Sequence, residues 1–516
     1  MNGAELLLKT AVKAGIEVCF TNPGTTEMPL VCAFDSVGGI RPILGLFEGC
    51  CTGAADGYGR MADKPAMTLL HLGPGLANGI ANLHNARRAR TPLLNVVGEH
   101  ATWHRSADAP LNMDIVALAE TVSGWQRTST ASQNLSKDTA DAISAALREK
   151  IATLIVPSDV QWSESSRSKI HSSHTPVGAI DKEGIETAAA LLRKDHRAAL
   201  ILGGGALRQK GLLAAARIKA KTGCDLLSER APARMERGSG LPATAFIPYF
   251  PRQALKLLSK YQTIVLAGAA EPVTFFGWKG FESRLLNEDQ TVLQIKAKDK
   301  HLPQALVNLA DALEAPSKIN AADVGISSVQ KPALPRGRLN AQNACLVLAA
   351  LQPENAVIVN ESITSGAAYF PLGPQLPPHT LLMLPGGAIG YGIPCAVGAA
   401  IACPGRAVIN FQADGSALYT VQALWMQARE SLDITTLICS NRSYKILSIE
   451  FARAGVDAPG QHAGSLTDLN NPAIDWVDIS KGMGVPAVRV DSCEALAKEL
   501  EKALIEAGPH LIEMVL

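Results

Sequence analysis

Aromatic residues are scarce in this chain, 5% of 516 residues, and neither sign of charge dominates. Lysine and arginine number 48 against 47 aspartates and glutamates, a formal net charge of +1 with histidine neutral. No block of like charge occurs either, which argues against a nucleic-acid backbone or an anionic membrane as the main partner. No uninterrupted apolar run reaches the roughly 18 residues that would span a bilayer. The N-terminal stretch, with Asn2, Glu5 and Lys9, lacks a basic segment before an apolar core. None of the cysteines, at 19, 32, 50, 51, 224, 345, 395, 403, 439 and 493, forms a C-x-x-C pair. Several sit inside apolar runs such as Ile16–Phe20 and Thr435–Cys439, where a thiol packs as a small hydrophobe in a reducing compartment. Adjacent Cys50 and Cys51 are poorly placed for mutual disulfide geometry. These absences predict a cytoplasmic protein.

Apolar residues are plentiful, at 47%, and so is glycine, at 44 residues. At roughly 150 residues per domain, the length suggests about three domains. Short apolar runs alternate with helix-length amphipathic stretches. The runs are Met67–Leu72, Pro92–Val97, Ala152–Val156, Ala198–Leu202, Thr263–Ala267, Val292–Ile295, Ala356–Val359, Leu381–Leu384, Ala407–Phe411, Ile434–Cys439 and Leu511–Val515. Apolar on both faces, they read as strands of parallel sheets covered by helices. Ser163–Val177 and Ala315–Arg338 break the rhythm and read as linkers. The predicted fold is therefore α/β, with three consecutive doubly wound domains at 1–162, 180–316 and 336–516.

The segment 407–444 carries the most chemistry. Its first strand ends in Ala413-Asp414-Gly415-Ser416 and flows into a predicted helix over 417–429. A second strand, Ile434–Cys439, ends in Ser440-Asn441-Arg442-Ser443. One strand–helix–strand unit places Asp414 and Asn441 at the carboxyl ends of two parallel strands, where open α/β sheets bind ligands. A carboxylate, an amide oxygen and a backbone carbonyl are hard donors suited to Mg²⁺. Gly415 and Ser416 open a helix, whose free amides can hold a phosphate. The same Asp-Gly-Ser also serves as an ordinary helix N-cap and turn.

Near the N-terminus, Ile43-Leu44-Gly45-Leu46-Phe47-Glu48 leads into Gly49-Cys50-Cys51-Thr52-Gly53-Ala54-Ala55-Asp56-Gly57-Tyr58-Gly59-Arg60. A lone acid after an apolar strand, followed by a helix of very small residues, suits close approach to a cofactor. A helix N-terminal acid favoured by the dipole is the other reading.

The Asp-Gly-Ser…Asn arrangement resembles the binding motif of thiamine diphosphate-dependent enzymes, especially benzoylformate decarboxylase and the acetolactate synthase large subunit. That resemblance implies three domains that are pyrimidine-binding, central and diphosphate-binding. It implies Mg²⁺ held by Asp414, the Asn441 side chain and the Ser443 carbonyl, with Gly415 and Ser416 at the diphosphate. It also implies that Glu48 hydrogen-bonds the aminopyrimidine ring and so promotes loss of the thiazolium C2 proton. Ala413 stands where the family usually has glycine, and Ser440-Asn441 where it often has Asn-Asn. Three further stretches are similar. The family counterpart of Asn22-Pro23-Gly24-Thr25 lines the substrate pocket, and His71 before Gly73-Pro74-Gly75 matches an active-site histidine. Gly387-Ala388-Ile389 matches a cofactor loop whose bulky aliphatic residue, here Ile389, wedges between the two cofactor rings.

By the same resemblance the protein is a decarboxylase or carboligase of a small 2-keto acid. Pyruvate decarboxylases carry adjacent histidines and a glutamate where this chain has the separated His100 and His104, and Leu447. A second histidine of benzoylformate decarboxylase has no counterpart in Thr274-Phe275-Phe276-Gly277-Trp278. A site poor in proton donors leaves acetolactate synthase-like carboligation of two keto acids open. Gly203-Gly204-Gly205-Ala206 with Glu229 forms a weak dinucleotide fingerprint. It leaves open FAD in the central domain or a nucleotide-binding oxidoreductase, and a catalytically inactive relative is a separate alternative. The resemblance further implies a homodimer or homotetramer, with Glu48 and Asp414 of different subunits facing one cofactor.

Overall fold

The computed structural model describes residues 1–166, 169–174, 180–456 and 458–516. The first predicted linker is therefore described only in part, since 167, 168 and 175–177 lie outside the described residues. Among the described residues three sheets form in chain order, all parallel except for one edge strand. The N-terminal sheet has six strands in the spatial order Arg41–Leu44, Val18–Thr21, Ala66–Leu70, Leu93–Glu99, Ile151–Pro157 and Trp125–Thr128. The central sheet has five, in the order Ala245–Phe246, Asp225–Ser228, Ala198–Leu202, Thr263–Ala267 and Thr291–Ile295. Every residue of Leu93–Glu99, Ile151–Pro157 and Ala198–Leu202 is buried. Apolar side chains on both faces are what a helix-covered parallel strand requires.

The C-terminal sheet has seven strands, in the order Ala487–Val490, His510–Val515, Ile434–Ser440, Val408–Ala413, Val357–Glu361, His379–Leu382 and Arg234–Arg237. The last comes from the central stretch of the chain and pairs antiparallel with His379–Leu382. The sequence reading did not contain this strand. Its alternation of buried and half-buried residues, with Met235 and Arg237 buried, suits an edge rather than a doubly covered strand.

The helices Glu48–Ala62 and Gly392–Ala402 pack closely, joining the first and last thirds of the chain. A Cβ on Gly57 would lie 2.1 Å from the Cys395 carbonyl oxygen, and one on Gly398 would lie 1.8 Å from that of Ala54. Backbone contact of this kind accounts for the small residues of both helices. The buried ion pair Arg60–Asp56 seals the same junction, with Arg60 Nη1 donating to the carbonyls of Met383 at 2.7 Å and Ala233 at 3.2 Å.

The predicted helix over 417–429 is broken. Asp414–Ala417 is followed by a 3-10 turn at Leu418–Thr420, and helix resumes at Ala423–Arg429. The interruption coincides with Thr420, whose hydroxyl donates to the Gly390 carbonyl at 2.8 Å and ties this turn to the 385–392 loop.

Candidate active site

Asp414 and Asn441 follow adjacent parallel strands whose last paired residues include Ala413 and Cys439. The Asp414 side chain is buried, 2% exposed, and accepts backbone amides from Gly415 at 2.8 Å and Arg442 at 2.6 Å. Desolvation raises its pKa. No lysine or arginine pairs with it among the described residues, so this buried carboxyl lacks a cation. Asn441 Oδ1 accepts the Ser443 amide at 3.0 Å, which brings Ser443 back beside it. Gly415 and Ser416 are buried at the start of the short helix, and the Tyr444 ring packs on Gly415. An uncompensated carboxyl beside an amide oxygen and a backbone carbonyl is a donor set that fits Mg²⁺.

Glu48 is the first residue of the helix Glu48–Ala62, is 8% exposed, and accepts a hydrogen bond from Asn78 Nδ2 at 3.0 Å. His71 caps the helix Leu72–Ala89 nearby. A Cβ on Gly75 would lie 3.2 Å from Glu48 Oε1 and 3.4 Å from His71 Cβ. The Asn22–Thr25 loop meets the same histidine, since a Cβ on Gly24 would lie 2.3 Å from His71 Nδ1. The structure therefore gathers Glu48, His71 and the 22–25 loop into one cluster.

Sequence reasoning missed the residue that organises this cluster. Glu27 is fully buried and accepts the Gly24 amide at 2.8 Å and the Thr26 hydroxyl at 2.5 Å. It also faces His71 Nδ1 at 2.8 Å. This hydrogen bond is the leading cause that raises the His71 pKa, against partial desolvation. Gly98 makes room for it, because a Cβ there would lie 1.6 Å from Glu27 Oε1.

The loop carrying Gly387, Ala388 and Ile389 is held from two sides. Asn85 Nδ2 donates to the Ala388 carbonyl at 2.7 Å, and Asn85 Oδ1 accepts the Ala388 amide at 3.2 Å. His84 Nε2 lies 3.0 Å from the Gly386 carbonyl. From the other side, buried Glu361 accepts the amides of Gly390 at 2.6 Å and Gly392 at 2.7 Å. Desolvation pushes the Glu361 carboxyl up to about 7. Asn78, Asn82 and Asn85 recur at helical spacing on one face, a signal legible in the sequence.

The glycine loop of the central sheet has a different occupant. Gly205 N donates to Asp299 Oδ1 at 2.8 Å, and a Cβ on Gly204 would lie 1.8 Å from that oxygen. Glu149 fixes the intruding segment by accepting the Asp299 amide at 2.8 Å. The chain's own carboxyl stands where an FAD diphosphate would need amide donors and space, so these residues do not fit that group.

Two family models match the chain: the N-terminal TPP binding domain of thiamine pyrophosphate enzymes over residues 1–118, and the C-terminal TPP binding domain over 364–514. A Mycobacterium tuberculosis protein named "Putative acetolactate synthase large subunit IlvX" is 46% identical over 518 residues, covering 100% of this chain and 99% of the relative. Benzoylformate decarboxylase of Pseudomonas aeruginosa is 27% identical, over 97% of this chain and 96% of its own length. Among solved structures, a thiamine diphosphate-dependent 4-hydroxybenzoylformate decarboxylase of Rhodococcus jostii superposes with a TM-score of 0.86 at 22% identity. That match covers 100% of this chain and 99% of the other, and shows the shared fold. Together with a buried glutamate at one helix start and an Asp–Asn pair across two parallel strand ends, these matches place the chain in the thiamine pyrophosphate enzyme family, as a relative of benzoylformate decarboxylase and acetolactate synthase.

Proposed function

We propose that the protein is a thiamine diphosphate- and Mg²⁺-dependent 2-keto acid decarboxylase or carboligase of the benzoylformate decarboxylase type. It would work in the cytoplasm as a homodimer or homotetramer with active sites between subunits. Residues 1–162 would bind the pyrimidine and 336–516 the diphosphate, with 180–316 between them. The observation that carries this reading is the grouping of Glu48 with His71 at one end of the N-terminal sheet.

When bound, thiamine diphosphate supplies a nucleophilic carbon and an electron sink for loss of CO2. Asp414, Asn441 Oδ1 and the Ser443 carbonyl would hold Mg²⁺, and Gly415 and Ser416 the diphosphate. Ile389, on a loop clamped by Asn85 and Glu361, would orient the cofactor. Glu48 would exchange a proton with the aminopyrimidine, positioned by Asn78. His71, with Nδ1 engaged by Glu27, presents Nε2 as the ring nitrogen able to move a proton at the substrate.

Acetolactate synthase-like ligation is the second reading. The 274–278 segment favours it, offering Phe275, Phe276 and Trp278 but no histidine to protonate a product carbon. The name of the 46% identical relative points the same way. Calorimetric titration with thiamine diphosphate, with and without Mg²⁺, tests the cofactor assignment. Metal-dependent saturable binding is expected, and no binding would refute it. A screen of 2-keto acids following both CO2 and ligation product then separates the two readings.

A further inference from the structure

Between the central strands Thr263–Ala267 and Thr291–Ile295, the chain leaves its sheet and lies against the Gly387 loop and the helix that follows Ser443 in the C-terminal domain. The Phe275 ring covers Gly387, where a Cβ would lie 2.6 Å from Phe275 Cζ. Trp278 Nε1 donates to Glu450 Oε2 at 3.2 Å, on the helix Lys445–Arg453 that starts just after Ser443. Tyr249 joins these rings, with centroids 5.5 Å from Phe275 and 5.6 Å from Trp278. Phe276 stays 56% exposed, so one edge of this aromatic box is open beside the cofactor loop.

Arg230 lies on the box. Its guanidinium carbon stands 4.6 Å from the Phe275 ring centre and 5.3 Å from that of Tyr249. The side chain is half-buried, and no carboxyl or carbonyl accepts from it among the described residues. Its neighbours differ: Arg453 has Glu450 at 3.7 Å, and Arg234 has Glu236 at 3.0 Å. A guanidinium pinned on ring faces, with its planar fork of donors unused, is preorganised for a carboxylate.

The chemistry decides which carboxylate. Decarboxylation breaks the bond between the keto carbon and the carboxylate, and charge leaves that carboxylate as CO2 forms. A cation bound there would stabilise the ground state more than the transition state and slow the step. We propose that Arg230 and its aromatic box bind a carboxylate that is retained in the product, an inference that rests on the decarboxylase or ligase reading. Two sources share this chemistry. One is the distal carboxylate of a dicarboxylic 2-keto acid, which loses CO2 and gains one proton to give a semialdehyde. The other is the carboxylate of an acceptor keto acid. There the electron pair left by CO2 forms the new carbon–carbon bond to the acceptor carbonyl, whose oxygen takes the proton.

The test uses the Mg²⁺ and thiamine diphosphate holoenzyme with the R230Q and R230K variants. The probes are 2-oxoglutarate, pyruvate as both donor and acceptor, and benzoylformate, whose carboxylate is lost. Losing a charged hydrogen-bond partner predicts a fall in kcat/KM about ten- to a hundredfold larger for the retained-carboxylate reactions than for benzoylformate. The loss should lie mainly in KM and be partly recovered by R230K. A selective loss confined to 2-oxoglutarate identifies the distal carboxylate, and one confined to pyruvate ligation identifies the acceptor. An equal change for all probes overturns the proposal. Binding is read without turnover by titrating non-reacting glutarate against the fluorescence of Trp278, with W278F as the blank. Saturable quenching weakened about tenfold in R230Q is expected. An unchanged Kd in the variant, or no saturable signal in the wild type, overturns the proposal. Failure of the underlying reading would look different: glutarate bound through Arg230, but no thiamine diphosphate binding and no CO2 from any keto acid.

Discussion

His71 Nδ1 lies 2.8 Å from Oε2 of the fully buried Glu27, a residue 44 positions earlier in the chain. Glu27 is held in turn by the Gly24 amide and the Thr26 hydroxyl. The contact favours the protonated imidazole and raises the His71 pKa above its ordinary value of 6.5. The contribution of this pair to stability is complete below 6.5 and is lost as pH climbs through the raised folded value. Glu27→Gln should move the His71 titration to lower pH, along with any limb of the kcat/KM profile that needs imidazolium. NMR titration of the ring resonances reads this directly, and an unmoved titration would show that Glu27 does not set it.

Glu48→Gln keeps an acceptor for Asn78 but removes the exchangeable proton. Keto acid turnover is expected to fall about 10²–10⁴-fold. Calorimetric affinity for thiamine diphosphate should change far less. Normal turnover at saturating cofactor would remove Glu48 from the mechanism.

Asp414→Asn replaces the one anionic group of the proposed metal site while leaving oxygen to accept one of its two backbone amides. Thiamine diphosphate affinity in Mg²⁺ should drop by about tenfold or more, the loss expected when a charged contact is removed. Chelation of the wild type should reproduce that loss, and Mg²⁺ should restore the wild type alone. Equal Mg²⁺ dependence in both proteins would place the metal elsewhere.

Asn85→Ala removes both hydrogen bonds to Ala388 and leaves half-buried backbone groups on the loop unpaired, at a cost of about 0.5–1.5 kcal/mol for each bond. His84 and Glu361 still hold Gly386, Gly390 and Gly392, so the loop should loosen rather than detach. A raised KM for cofactor with a nearly unchanged limiting kcat is the expected signature. A fall in kcat alone would assign Asn85 a different role.

The doubly covered strands were legible because burial on both faces leaves mostly apolar runs, unbroken in Ala198–Leu202 and interrupted only by small hydroxyl residues in Ile434–Ser440. Trp125–Thr128 and Arg234–Arg237 were not, because edge strands keep half-buried polar positions and lose that signature. Asp414 and Asn441 could be placed together because a single strand–helix–strand unit fixes their strand ends side by side. Glu27 stands two residues after the Asn22–Thr25 stretch, yet its role depends on His71 and on the space left by Gly98, both brought to it by tertiary folding. Asp299 shows the reverse case. The glycines at 203–205 suggested a bound nucleotide, but their missing side chains admit the chain's own carboxyl.

The antiparallel pairing of Arg234–Arg237 with His379–Leu382 also bears on how the chain can be cut. A fragment beginning at 336 would leave His379–Leu382 as an open rim of unsatisfied amides and carbonyls. Such rims recruit other strands, so the isolated fragment would tend to self-associate. The borrowed strand thus acts as an internal chaperone for the C-terminal sheet, and the smallest well-behaved unit that includes that sheet must start before Arg234.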